Sequence, residues 1–168
     1  MKQILESIRN EFNQEAAITK RVLDKVPADK LAWKPHAKSM SLGQLAIHLA
    51  GVPGRLAMTL QKDQFEVTPD AFEPTPPKNI EEIQATFEQS IKAAEEYLKG
   101  LNEASASGEW SLIVNGKKAV SMPRIAVVRS IMMNHCYHHR GQLSVYLRLL
   151  DVPLPVIYGR SADESPFG

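Results

Sequence analysis

The run Asn134-His135-Cys136-Tyr137-His138-His139-Arg140-Gly141-Gln142-Leu143 holds three of the chain's five histidines. It lies inside a longer stretch where Ile125, Val128, Met132, His135, His139, Leu143, Tyr146 and Leu150 recur at steps of three and four, the period of a helix with one buried face. Pro123 suits the first turn of that helix, and Asp151 to Pro153 stop it. Two histidines inside an apolar stripe bring ring nitrogens inward, where each costs about 1–3 kcal/mol if left without a partner. This helix therefore carries both the fold and the chemistry.

Upstream, Trp110, Leu112 and Val114 alternate, Asn115-Gly116 follows, and apolar residues resume at Ala119 and Val120. That pattern predicts a β-hairpin over Glu109–Ser121, with a turn that needs positive φ. Two strands alone are marginal in water and must lean on helices. Asn79 with Glu82 predicts the cap of a third helix, whose stripe is Ile80, Ile83, Phe87, Ile91, Ala94, Leu98 and Leu101 and whose end falls between Gly100 and Ala104. Glu66–Lys78 contains Pro69, Pro74, Pro76 and Pro77, which predicts a connecting loop. Ser41 with Gln44 predicts a capping box for a second helix bearing Leu42, Leu45, Leu49, Val52, Leu56 and Leu60; Gly51, Pro53 and Gly54 predict a kink or a break in it. A first helix runs from Lys2 to about Val26, and Pro27 ends it. The expectation is an all-α four-helix bundle with a small β-hairpin before the last helix, one domain over residues 1–168.

Composition narrows the function. At 43% hydrophobic, 168 residues can build one sizeable core. With 20 Lys and Arg against 19 Asp and Glu, the net charge of +1 lacks the footprint of a nucleic-acid or anionic-membrane binder. No apolar run reaches membrane-spanning length, and Met1-Lys2-Gln3-Ile4-Leu5-Glu6 does not open a signal peptide. The single cysteine, Cys136, has no disulfide partner within the chain. A cytoplasmic protein is the expectation.

His135 and His139, at i and i+4, can point one nitrogen each at a common ion. His135 with His138, at i and i+3, is a second geometry. His48, one turn after Gln44, becomes a third ligand if the second and last helices are neighbours. Three neutral imidazoles leave room for water or substrate on a metal, the arrangement of a catalytic zinc site, although imidazole also suits nickel, copper and iron. Against this stands the simpler reading, in which the histidines are core hydrogen-bonding groups and no metal is involved. Cys136, about 100° around the helix from His135, reads as a buried inert thiol, with a ligand or a reactive thiol as the alternative. His138 is turned from the shared face, toward substrate, a partner subunit or solvent. Arg140 and Gln142 are candidates to hydrogen-bond the ligands, with solvated side chains as the alternative. HExxH, Glu-x-x-His, GxGxxG, GxxxxGK[ST] and GxSxG are all absent, which removes the usual supports for zinc proteolysis, di-iron carboxylate chemistry, nucleotide binding and α/β-hydrolase chemistry.

Leu31-Ala32-Trp33-Lys34-Pro35, Ser39-Met40-Ser41-Leu42-Gly43-Gln44-Leu45-Ala46-Ile47-His48-Leu49, Asn134 to Leu143, and Pro155-Val156-Ile157-Tyr158-Gly159-Arg160-Ser161-Ala162-Asp163-Glu164 together resemble the DinB-like, damage-inducible family of metal-dependent proteins. The resemblance spans nearly the whole chain; at Arg160 the family commonly has proline. It implies a four-helix bundle, a homodimer, and a divalent metal, zinc or nickel, held by His48, His135 and His139. Similar bundles include thiol-dependent transferases that use low-molecular-weight thiols such as bacillithiol or mycothiol, and others assigned as hydrolases. The resulting expectation is a metal-dependent S-transferase or related hydrolase acting on a small electrophile. Its rival is a non-catalytic metal-binding protein of stress response or ligand sensing.

Overall fold

The Gln44 amide donates to Ser41 Oγ at 3.1 Å, and the Ser41 amide donates to Gln44 Oε1 at 2.9 Å, so the predicted capping box opens helix α2, Leu42–Thr59. The preceding segment adds to this start: Trp33 O and Leu31 O accept from the amides of Leu42 and Gly43, both at 2.9 Å. Ahead of it lie α1, Lys2–Leu23, and a 3₁₀ turn, Ala28–Lys30. The structure, a computed structural model, describes residues 1–68 and 74–167. Residues 69–73, inside the predicted loop before the third helix, lie outside the described residues.

α2 runs unbroken through Pro53. Pro53 supplies no amide to the helix ladder, and the next amide, Gly54, donates to Ser90 Oγ at 2.7 Å on α3, Ile80–Gly100. A Cβ at Gly54 would meet Ser90 Cα at 2.7 Å, so the absence of a side chain sets how closely these two helices approach. Gly54→Ala should therefore lower stability by about 1–3 kcal/mol despite alanine's better helix propensity, because the clash is with backbone. Gly141→Ala, where nothing lies within 4 Å, should be neutral or gain up to about 1 kcal/mol. Urea unfolding of the two variants checks the contrast.

α3 is capped by Asn79, whose side chain accepts from the Glu82 amide. It ends at Gly100, and a separate short helix follows: α4, Glu103–Ser107, with its own capping box between Asn102 and Ser105. The hairpin is present as β2, Glu109–Val114, and β3, Lys117–Pro123, with Asn115 and Gly116 at φ 49° and 72° in the turn. It is one part of a larger sheet. β1, Gln64–Val67, pairs in parallel with β2, giving a mixed three-stranded sheet in the order β1-β2-β3. The predicted loop thus begins with a strand, and the expectation of a hairpin alone is corrected. A parallel pair needs a long crossover, which here includes α3.

The last helical stretch is also not one regular helix. It comprises α5, Arg124–Val127, a π-helical turn, Val128–Met133, and α6, Asn134–Leu149. Buried Arg124 fixes its start, donating to the carbonyls of Leu60, Lys62 and Glu109 and to Asp63 Oδ1 at 2.6 Å. This ties the end of α2 to the sheet.

One apolar cluster joins Val22 and Leu23 of α1, Leu42, Leu45 and Leu49 of α2, Ile83 and Phe87 of α3, and Leu143 and Leu147 of α6. A second joins Ile8, Phe12, Ala57, Leu60, Ala94, Leu98, Trp110, Val127 and Met132. Along the chain α1 and the last stretch therefore run from the second cluster to the first, while α2 and α3 run the opposite way. The fold is mostly helical with a small mixed sheet, rather than the plain four-helix bundle with a hairpin that the apolar stripes predict. No described helix is long and apolar enough to cross a membrane.

Candidate metal centre

His48 sits on α2 and His135 and His139 on α6, and these two helices pack side by side. His48 Nε2 lies 3.0 Å from His135 Nε2, and His139 Nε2 lies 2.6 Å from the same atom. The three imidazoles form a group whose potential ligand atoms all lie within 4.8 Å of one another, with no carboxylate or thiol in it among the described residues. Tetrahedral zinc with Zn–N of about 2.0–2.1 Å would hold such nitrogens about 3.3 Å apart. Small shifts reach that geometry.

His139 Nδ1 is 2.7 Å from Gln142 Oε1. Since an amide oxygen only accepts, Nδ1 carries the proton and the Nε2 lone pair faces the other two rings. Burial lowers the pKa of His48 to about 3, helped by the charges of His139, Arg55 and His135. Burial likewise lowers His135 to about 4, with His139, His138 and Arg55 adding to it. His139 is lowered by burial, opposed by its bond to Gln142. All three are neutral at pH 7, the form that ligates. Three neutral rings directed at one point share too few protons to satisfy one another, so this donor set fits a divalent cation.

The sequence places the ligands by the turn of the helix. On α6 the inward line passes through Cys136, Arg140, Leu143 and Leu147, and His135 and His139 lie at its edge nearest α2. His138, outside the group, is exposed, with its ring 4.9 Å from that of His139 at 64°. The alternative pairing of His135 with His138 is not the one formed. Burial pushes the Cys136 thiol up to about 12, so it remains protonated.

Gln142 stands where a residue holding a ligand should. Gln142→Ala should weaken metal affinity about 10- to 100-fold while leaving the three ligands in place, which competition against a chromophoric chelator would read. Arg140 does not stand there. It is 1% exposed and turns toward α1, where it donates to Glu15 O and Thr19 Oγ1, each at 3.2 Å, meets Glu15 Oε2 at 2.6 Å, and bonds the Tyr158 hydroxyl. Its guanidinium also lies over the rings of Tyr137 and Tyr158. Arg140 fastens α6 to α1 and to the C-terminal segment; the sequence expectation that it backs the ligands is not met.

A residue that the sequence reading missed lies on the other side of His48. Arg55 folds back along α2 and donates to His48 O at 3.2 Å. Gly51 permits it: a Cβ there would meet Arg55 Nη1 at 2.2 Å. The signal was the spacing, since His48, Gly51 and Arg55 fall on one helical face at i, i+3 and i+7.

Fold and site define a class: a mostly helical protein in which two adjacent helices bring three histidines to one point that can hold a metal ion. The chain belongs to the DinB family, whose model matches residues 1–166, in agreement with the resemblance in its motifs. Its fold is similar to that of a DinB-like protein from Bacillus cereus, with a TM-score of 0.70 and 20% identity over 91% of this chain and 97% of the other. A DinB-like protein from Bacillus subtilis is also similar, with a TM-score of 0.67 and 20% identity over 89% and 96% of the two chains. No curated protein matches the chain.

Proposed function

We propose that this protein is a metal-dependent S-transferase that joins a low-molecular-weight thiol to a small electrophile at a zinc or nickel ion held by His48, His135 and His139. The observation that carries the proposal is the convergence of three neutral Nε2 atoms with no carboxylate among them. When bound, a divalent metal there lowers the pKa of a coordinated thiol and keeps it as thiolate at neutral pH. The protein's own part is positional: α2 and α6 hold the rings, and Gln142 fixes the His139 tautomer. The sulfur lone pair forms the new bond, the leaving group departs with its electron pair, and the thiol proton passes to solvent.

A related hydrolysis would replace the thiol by water, but hydrolysis more often wants a nearby base. The group contains no acid to serve as one. A homodimer belongs to the same proposal, and sedimentation as a monomer at micromolar concentration would remove it.

The test is metal content of untagged protein, followed by thiol consumption with a panel of electrophiles. About one metal per chain with thiol turnover, both lost in His48→Ala, supports the enzyme. Metal retained without turnover supports the non-catalytic reading. Activity unchanged in His48→Ala after metal loss sinks the proposal.

A further inference from the structure

We infer that Arg55 is the anchor for a carboxylate on the substrate, so that the small molecule taken up beside the three histidines is an anion. The inference rests on the metal reading above and adds the substrate's chemical class.

Among the arginines of the helical stretches, Arg55 is set apart by what it lacks. Arg21, Arg124, Arg129, Arg140 and Arg148 each sit on a carboxylate. Arg9 spends its guanidinium on the carbonyls at the end of α3. Among the described residues, Arg55 makes one hydrogen bond, to His48 O, and no carboxylate lies within 4.0 Å of it. Among those residues, a planar fork with five donors is left largely unused.

Its position is built rather than incidental. A surface arginine ordinarily extends into water, whereas this one lies back over Gly51 toward the histidine that begins its face. Any side chain at residue 51 would occupy the path of Nη1. Through Nη2, 3.2 Å from His48 O, the guanidinium is held against the residue that supplies one of the three ligands.

The charge count then selects the ligand. Three neutral imidazoles leave the full charge of a divalent ion uncompensated, and Arg55 adds another positive charge beside it. A carboxylate meets both needs: it pairs with a guanidinium through two parallel hydrogen bonds, and it brings negative charge to a site whose own ligands bring none. A neutral thiol of the same length satisfies only the metal.

The experiment uses the full chain loaded with cobalt(II), whose thiolate charge-transfer absorption reports binding without turnover. Two probes are titrated: 3-mercaptopropionate and the neutral 3-mercapto-1-propanol. The wild type should favour the carboxylate by about tenfold, the size of one charge-assisted hydrogen bond. Arg55→Gln should bring that preference close to whatever the metal alone confers, and Arg55→Lys should keep part of it. Gly51→Ala retains the charge but displaces it, and should lose the preference as Arg55→Gln does. An equal preference in wild type and Arg55→Gln, with cobalt bound in both, overturns the inference and leaves the metal reading standing. Failure of the wild type to take up cobalt overturns both.

Discussion

Arg140→Ala should lower the free energy of unfolding by about 3–5 kcal/mol, the cost of removing one partner of a buried ion pair. The loss has several parts. Glu15 keeps a carboxylate whose side chain is 16% exposed and which meets Arg140 at 2.6 Å in the intact protein. Thr19 Oγ1 and the Glu15 carbonyl lose a donor, and the faces of Tyr137 and Tyr158 lose the guanidinium between them. Urea unfolding should show a lower midpoint with the slope unchanged. Pairing Arg140→Met with Glu15→Leu should recover much of the loss, since a well-packed apolar pair can replace a buried ionic one. Metal content of the folded variant should equal that of the wild type, because Arg140 faces α1 and not the histidines. A variant that is stable but metal-free would mean the arginine supports the ligands after all.

The second large effect concerns the histidines. Wild-type protein purified without a tag should carry about one divalent metal per chain, and His48→Ala and His139→Ala should carry none. Binding to the folded state alone stabilises by RT ln(1 + [L]/Kd), about 4 kcal/mol when free metal is a thousand times Kd. Stripping the metal with a chelator should then lower the melting temperature by roughly 8–16 °C, using about 2–4 °C per kcal/mol for a chain of this size. The two variants should melt at the same temperature with and without chelator. Wild-type protein that takes up neither zinc nor nickel would return the three rings to the status of core hydrogen-bonding groups.

Much of the fold could be read in the sequence wherever the determinant is local. Ser41 with Gln44, Asn79 with Glu82 and Asn115-Gly116 each fix their structure within a few residues, and each forms as read. The three histidines were legible because apolar periodicity gives the inward face of each helix. Only their meeting depended on which helices are neighbours. β1 was not legible: Gln64-Phe65-Glu66-Val67 is a short, mostly exposed strand held by parallel pairing to residues far along the chain, and the prolines beyond it read as loop. Arg140 was misread for a related reason. Sequence spacing says that it points about 100° from His139, but not that α1 waits there with a carboxylate. Arg55 was missed because its significance comes from the bare backbone of Gly51, an effect that appears only once the side chain is seen folded back.

The π turn at Val128–Met133 stands between two fixed points, the Arg124 clamp at the sheet and the histidines facing α2. A turn of this kind accommodates one residue more than a regular helix would. Since each residue advances a helix by about 100°, the surplus residue acts as a phase adjustment between the two anchors. Shortening the turn by one residue would leave His135 and His139 intact and correctly spaced from each other, yet rotate both away from His48. The ligand motif is therefore an incomplete description of the centre: the same letters, indexed differently against the sheet end of the molecule, would not assemble it.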